Sequence, residues 1–539
     1  MIGIIAGLSA EMLSFGVSWL GSLRMTISNV APPYLILPAL GLFGGFVAGL
    51  MVEILAPEAS GSGIPQVRAR LDRIIIALDF RVAIVKLIGG TIALGTGFFL
   101  GREGPTVQLG ASLAAPLTAR MSRAREYKRQ LIAAGAAAGL TAAFNAPLAG
   151  VVFVLEELLR EVRYSTILLS VISCSMACLI LNLFNSPHLR HDVEPIASQI
   201  HFAPQDIPFY ILLGIICGLL GAFFNVCILK TLKINRDLKK VPTSFKVALA
   251  GLVSGLLISI LPAAFHNYAG MRILLSSGAT DWTTALLAFP IFFILTVIAY
   301  GSGAPGGLFA PSLTLGSAIG FLVGYLEHLC GGGLLMNSFA LVGMGAFVAG
   351  VTRTPLTAIV ITFEMTANFT LLTPLMITSV ISSTVGDLVF KDGLYEHLMR
   401  WNGIHLHGDR DEKLRELTVK DIMRKNNDSV RSNAFIKDLL PTLSANGQKD
   451  YPVFDEKIFV GILRQTDLAK LKNKESITEL KVSDIMLKQP LVVSPFDTLE
   501  ELMFLFSRYK YSWLPVVHGD KFKGIILQSD VVQALFSRG

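Results

Sequence analysis

The chain is predicted to fold as an all-α polytopic membrane bundle with two repeated halves, followed by a smaller α/β domain. Three observations carry that prediction. Of 539 residues, 52% are hydrophobic and 16% charged, mean hydropathy is +0.60, and the long apolar runs stop near residue 400. Within those first 400 residues, Gly- and Pro-framed motifs recur after 206 to 208 positions. The remainder repeats itself at a constant offset of 63 and mixes strand-like with helix-like patterns.

About 20 apolar residues cross a bilayer as a helix. Runs of that kind cover 2–22, 34–56, 81–100, 131–155, 165–184, 208–230, 245–262, 283–300, 312–329, 338–362 and 371–390. The first lacks a basic leader and a small-residue cleavage site, so it reads as a membrane helix and not a signal peptide. With no hydrophilic preamble, it also fits a truncated start. The 49 glycines allow close helix packing in lipid. Broken helices are tolerated where the freed backbone lines a protein cavity, so some half-spanning helices are expected.

The net charge of +7 is no nucleic-acid signal, because no basic tract is interleaved with aromatics. Arg120, Arg123, Arg125, Lys128 and Arg129 crowd one loop instead, as in cytoplasmic loops of membrane proteins. Cys174, Cys178, Cys217, Cys227 and Cys330 lie in apolar runs without a Cys-x-x-Cys and read as buried free thiols. No Ser/His/Asp set, metal cluster or phosphate-cradling loop stands at useful spacing, so an enzyme is not expected.

The most costly feature is Gly101-Arg102-Glu103-Gly104-Pro105, directly after the apolar run 82–100. A charged residue at the centre of a membrane helix costs roughly 2.5–3.5 kcal/mol on insertion scales. Glycine permits close approach of a ligand, and proline suits the first turn of a helix. A helix start within the membrane presents free amides, which attract anions. Glu103 can act as a built-in anion there, and a mobile anion can replace it.

The internal repeat sharpens this. Pro147 to Val152 matches Pro355 to Val360 at offset 208, and Pro105 to Gly110 matches Pro311 to Gly316 at offset 206. Two such halves with helix starts aimed at an anion are a transporter pattern. Glu103 then falls on Phe309, so the second half has the Gly-rich start without the acid. Glu156 falls on Glu364 and reads as a shared structural acid, whereas Glu157 falls on Met365 and is extra. Glu157 reads equally as an acid at a solvated helix end, since Arg160, Glu161 and Arg163 follow. Ser62, in Gly61-Ser62-Gly63-Ile64-Pro65, reads alone as a capping serine. Tyr395, before the polar helix 396–401, reads alone as an interface anchor.

Together, Gly61-Ser62-Gly63-Ile64-Pro65, Gly101-Arg102-Glu103-Gly104-Pro105, Gly306-Gly307-Leu308-Phe309-Ala310-Pro311 and Tyr395 resemble the CLC family of chloride channels and chloride/proton antiporters. The resemblance implies the CLC fold, a homodimer in a lipid bilayer, each subunit with its own anion pathway and two inverted repeats. It implies a central chloride held by the hydroxyls of Ser62 and Tyr395 and the backbone of Leu308 and Phe309, with Gly63, Ile64 and Gly104 beside it. It implies that Glu103 is the gate and Glu157 the inner proton relay. Hydroxyls and amides offer donors without a full positive charge, so an anion can bind and leave again. The family's nitrate- and fluoride-selective members depart at the serine loop or the tyrosine, so chloride is expected here.

In the last part, Asp421-Ile422-Met423 matches Asp484-Ile485-Met486, Gly461-Ile462 matches Gly524-Ile525, and Thr466-Asp467 matches Ser529-Asp530. Strand-like runs (516–517, 522–527) alternate with amphipathic patterns such as 498–506. This resembles a pair of CBS domains. Such pairs often bind adenine nucleotides (ATP, ADP or AMP), which would place Thr466, Asp467, Ser529 and Asp530 at ribose. The hydroxyl usual three residues after the glycine is replaced by Arg464 and Leu527, and structural dimerisation with the acids as helix caps is the other reading.

The expected organisation is a transmembrane domain over 1–405, with halves of about 1–200 and 201–405, a linker over 406–418, and CBS domains over 419–473 and 482–537. The expected function is chloride/proton antiport in a bacterial plasma membrane, with the CBS pair cytoplasmic and no required cofactor. A CLC-type channel without proton coupling is the alternative, and a membrane-anchored nucleotide sensor is the rival of a different class.

Overall fold

The apolar runs are helices in the computed structural model. It describes residues 1–30, 32–72, 74, 76–119, 125–184, 195–197, 204–266, 268–331, 336–401, 417–425, 429–439, 450–456, 458–464, 480–488, 490–509, 511–519 and 521–536. The chain divides into two compact units, Met1–Ile404 and His405–Gly539.

In the first unit, half one contains α1 (Ile2–Val30), α2 (Pro33–Ile54), α3 (Ile64–Leu71), α4 (Phe80–Thr96), α5 (Glu103–Ala119), α6 (Arg125–Phe144), α7 (Pro147–Phe153) and α8 (Tyr164–Leu183). Half two contains α9 (Ile207–Asp237), α10 (Thr243–Ile260), α11 (Tyr268–Ser277), α12 (Trp282–Gly301), α13 (Phe309–Leu329), α14 (Met336–Thr352), α15 (Pro355–Thr366), α16 (Leu372–Val389) and α17 (Leu394–Trp401). Among the described residues, eight helices are long and apolar enough to cross a membrane. Others are too short to span, as the broken-helix composition predicts.

Two expected spans, 131–155 and 338–362, are each two helices. Between α6 and α7 stand left-handed Asn145 (φ 55°) and extended Ala146 (φ −128°, ψ 83°). Between α14 and α15 stand left-handed Arg353 (φ 62°) and extended Thr354 (φ −122°, ψ 73°). Proline drives the residue before it out of the helical region, so Pro147 and Pro355 impose the breaks. The two breaks are themselves one repeat apart.

The halves use the same packing. Gly110 on α5 meets Gly135 on α6 so closely that a Cβ on either would overlap the other's backbone. Gly316 on α13 and Gly343 on α14 do the same. Glu156 and Glu364 tie the halves reciprocally. Glu156 accepts from Leu356 N (3.0 Å), Thr357 N (2.6 Å) and Thr357 Oγ1 (2.6 Å) at the start of α15. Glu364 accepts from Leu148 N (3.0 Å) and Ala149 N (2.7 Å) at the start of α7. Each acid thus satisfies the open amides of the other half's proline-led helix, the reciprocity of a pseudo-two-fold. Glu156 and Glu364 therefore have the shared structural role that their repeat positions suggested.

Three local expectations need correction. Arg125, Lys128 and Arg129 are in α6 and not in a loop, and Arg120 and Arg123 lie outside the described residues. Arg129 is bound by the Leu71 carbonyl, Asp72, Glu126 and Glu161. Cys174 and Cys217 are buried, but Cys178 and Cys227 are half-buried and Cys330 is exposed where α13 ends. Tyr395 is inside α17, which starts at Leu394.

The second unit contains α18 (Val419–Ile422), β1 (Val430–Arg431), β2 (Asp450–Asp455), β3 (Ile458–Arg464), α19 (Val482–Ile485), β4 (Leu487–Lys488), α20 (Leu499–Tyr509), β5 (Trp513–His518), β6 (Lys521–Leu527) and α21 (Gln528–Phe536). One sheet has the order β1-β2-β3-β4 and the other pairs β5 with β6. Both antiparallel hairpins shift register at the same repeat position, Val453/Phe454 and Val516/Val517. The four-residue helices cannot bury themselves, and each packs in the other repeat's core. Val482 joins Val430, Ile436, Tyr451 and Val453, whereas Val419 joins Leu499, Leu514, Val516 and Ile526. Phe454, Phe459 and Phe522 join the two sheets, with ring centroids 5.3 to 5.9 Å apart. The Thr418 N–H and hydroxyl both donate to Asp421, which holds its carboxyl below the usual range.

Candidate functional site

Three glycine-rich loops from both halves are stitched together by their backbones. Gly101 and Gly307 exchange two hydrogen bonds, of 2.7 and 2.6 Å, and Gly306 N donates to Gly61 O at 3.0 Å. These bonds place the starts of α3, α5 and α13 beside one another. Gly63 must be glycine, since its φ is +89° and a Cβ would strike Gln108. Neither the α3 start at Gly63 nor the α13 start at Leu308 has a side-chain cap, so their amides stay available.

Gly104 is where the loops come closest. A Cβ there would lie 2.5 Å from Ser62 Oγ, 2.7 Å from Ser62 O and 3.1 Å from Gly307 Cα. The last two are backbone atoms, so neither can yield cheaply. Gly104→Ala is expected to destabilise the membrane unit by about 1–3 kcal/mol, the scale of overpacking a close contact. Unfolding of the purified variant in a denaturing-detergent titration checks this, and an unchanged midpoint contradicts the close approach.

Ser62 is 1% exposed and Tyr395 1%, and their hydroxyls face one another. The Tyr395 ring lies 6.3 Å from the ring of Phe309, which Phe144 and Phe153 enclose at 6.3 and 6.1 Å. Glu103 is the first residue of α5 and is 4% exposed. Its carboxyl folds back against Gly101 and the Ala310 amide. Arg102 does not pair with it and turns instead to Ser14 Oγ (2.9 Å) and Ala143 O (3.5 Å). Ser62 Oγ, Glu103 Oε2 and Tyr395 OH are buried, and none makes a well-formed hydrogen bond among the described residues. A buried polar group without a partner costs about 1–3 kcal/mol. Three of them at one junction of helix starts describe a place for a polar guest.

Glu157 lies on a π-helical turn, Val154–Leu158, that continues α7. It is buried, not at a solvated end, and Arg68 Nη1 on α3 donates to its Oε1 at 2.8 Å. Next along the chain, Arg160 donates to both oxygens of Glu396 on α17, at 3.2 and 2.8 Å. The segment bearing Glu157 is thus tied to the helix after Ser62 and to the helix bearing Tyr395.

Sequence reading missed four residues of this neighbourhood: Arg68, Glu396, Lys86 and Tyr300. Lys86 on α4 is fully buried and donates to Ala59 O (2.9 Å) and Gly61 O (2.6 Å), bracing the serine loop. Tyr300, at the end of α12, brings its hydroxyl to the Ser62 backbone. A lysine inside an apolar run was the available signal for Lys86.

In the second unit, Asp530 is buried and its Oδ1 accepts from Arg424, while its Oδ2 has no hydrogen-bond partner among the described residues. Ser529 beside it is exposed. Thr466 and Asp467 lie outside the described residues. Gly524 approaches the Arg424 carbonyl so closely that a Cβ would overlap it.

Comparison with known proteins gives a consistent set. The family model described as voltage gated chloride channel matches residues 44–387, and the CBS domain model matches 419–474 and 482–537. The chain is 34% identical over 421 residues to the H(+)/Cl(-) exchange transporter ClcA of Yersinia pseudotuberculosis serotype IB, covering 74% of this chain and 86% of that one. It is 34% identical over 421 residues, with the same coverage, to ClcA of Salmonella typhimurium. Among solved structures, a slow cyanobacterial Cl-/H+ antiporter is similar with a TM-score of 0.68 at 31% identity, covering 74% of this chain and 96% of that chain. A eukaryotic CLC transporter is similar over 98% of this chain and 96% of its own, with a TM-score of 0.66 at 26% identity.

Proposed function

This chain belongs to the voltage-gated chloride channel (CLC) family and carries a C-terminal CBS pair, and from that premise we propose that it exchanges chloride for protons across a membrane. The observation that carries the reading is the set of buried groups that make no well-formed hydrogen bond among the described residues, Ser62 Oγ, Glu103 Oε2 and Tyr395 OH, at the junction of three helix starts. Chloride accepts hydrogen bonds from the two hydroxyls and from the backbone of Leu308 and Phe309, with Gly63, Ile64 and Gly104 shaping the wall. The Glu103 carboxylate competes for the same donors when ionised and withdraws when protonated. Protons reach it from the other side by way of Glu157. Access alternates by small moves of Glu103 and not by rocking of the halves.

Exchange is favoured over a channel by the acid at Glu157 and by relatives that are themselves named H(+)/Cl(-) exchange transporters. The protein acts as a homodimer in a bacterial plasma membrane, with its CBS pair in the cytoplasm. There the free oxygen of Asp530, with Arg424 beside it, offers a ribose and phosphate contact to an adenine nucleotide.

Purified protein in liposomes with a chloride gradient tests the reading. Protons are expected to move uphill against chloride, with a rate that responds to ATP, ADP or AMP. Chloride flux without proton movement would replace exchange by a channel. In the same assay Glu157→Gln is expected to stop protons and leave chloride moving; proton transport persisting in that variant removes Glu157 from the path.

A further inference from the structure

Glu157 and Arg68 form an enclosed ion pair, with side chains 2% and 3% exposed. The other charged groups acting on Glu157 are Arg160 and Glu396, and these two are bound to each other. On α6, packed against the same turn, Arg129 is occupied by Asp72, Glu126 and Glu161. Glu157 is therefore the counter-charge of Arg68. A proton on Glu157 cancels that counter-charge and leaves a guanidinium enclosed without one, which is strongly unfavourable. Protonation and the arrival of a replacement anion at Arg68 are thus tied together. The replacement must be small, because the pair is closed off, and it must accept from a guanidinium, which only donates.

We propose that Arg68 is an anion-binding group that takes up chloride when Glu157 is protonated, an inference that rests on reading Glu157 as the inner proton acceptor. The proton goes to a Glu157 carboxylate oxygen, the ion pair with Arg68 opens, and chloride takes the carboxylate's place. The net charge of the site does not change. Arg68 stands on α3, about one turn in from its first residue Ile64, so this chloride waits on the helix that directly follows the serine loop of the central cluster.

Chloride titration of the purified full-length protein by calorimetry tests this. Glu157→Gln holds the position uncharged and is expected to bind one more chloride per subunit than Glu157→Gln/Arg68→Met. Glu157→Gln/Arg68→Lys is expected to keep the added chloride. Equal stoichiometry and affinity in the Gln and Gln/Met variants overturns the proposal. A measurement without substitution at either position guards against misfolding. In a Glu103→Gln background, where the gate no longer titrates, chloride stoichiometry must rise as pH falls, and a constant stoichiometry overturns the proposal as well. Binding is read at equilibrium, so it is separate from transport. An Arg68-dependent chloride in a protein whose flux is uncoupled supports the site and removes only the exchange reading.

Discussion

Replacing Glu103 with glutamine is expected to abolish proton transport while chloride flux continues. Glutamine keeps the shape of the side chain, so the stitched loops around Gly101 and Gly307 are undisturbed. It cannot ionise, so it neither carries a proton nor competes as an anion for the donors beside Ser62 and Tyr395. The burial of Glu103 and the lack of a partner for its Oε2 make the change large. Among the described residues a carboxylate there forms no ion pair, because Arg102 is committed to Ser14 and the Ala143 carbonyl and Arg272 acts on it only through space. Paired chloride and proton flux from liposomes gives the answer. A variant that still pumps protons against a chloride gradient would sink the assignment of Glu103 as gate and proton carrier.

The second large effect is on stability. Glu156→Ala removes three hydrogen bonds to an ionised acceptor, and Glu364→Ala removes two. Hydrogen bonds to charged groups contribute about 1.5–3 kcal/mol each, though not additively. Each single substitution is therefore expected to destabilise the membrane unit by about 3 kcal/mol, read as earlier unfolding in a denaturing-detergent titration. The double substitution is expected to cost less than the sum of the singles. Both acids serve one contact between α7 and α15, and loosening it once forfeits much of what the second cap holds. Full additivity, or a change below about 0.5 kcal/mol in either single variant, contradicts the reciprocal caps. Chloride affinity measured in the folded variants separates this from Glu157, whose neighbour in sequence does different work.

Adjacent positions 156 and 157 show why part of the site was legible and part was not. The repeat distinguished them, since one has a partner acid at 364 and the other meets Met365. Repeats also located the two helix breaks in retrospect: Pro147 and Pro355 carry the local signal, and an uninterrupted apolar run masked it. Apolar run length set the broad layout of the spans, because crossing lipid is a local requirement on about 20 residues. Gly- and Pro-framed helix starts were legible for the same reason, as backbone conformation is dictated by the residue that must adopt it. In the second unit, the constant offset of 63 gave strands and helices in matching places, but not the exchange of the short helices between repeats.

What the chain's sequence determined by itself is thus the class of fold, the two internal repeats, the family, and the set of residue types that an anion and a proton would meet. What only the tertiary structure decided is which of them face one another. Arg68 is 89 residues from Glu157, and Arg160 is 236 from Glu396. Gly101 and Gly307 exchange hydrogen bonds across the two halves. No local pattern encodes such pairings. They follow from burial, because an enclosed charge or amide must find its partner wherever the packed helices bring one.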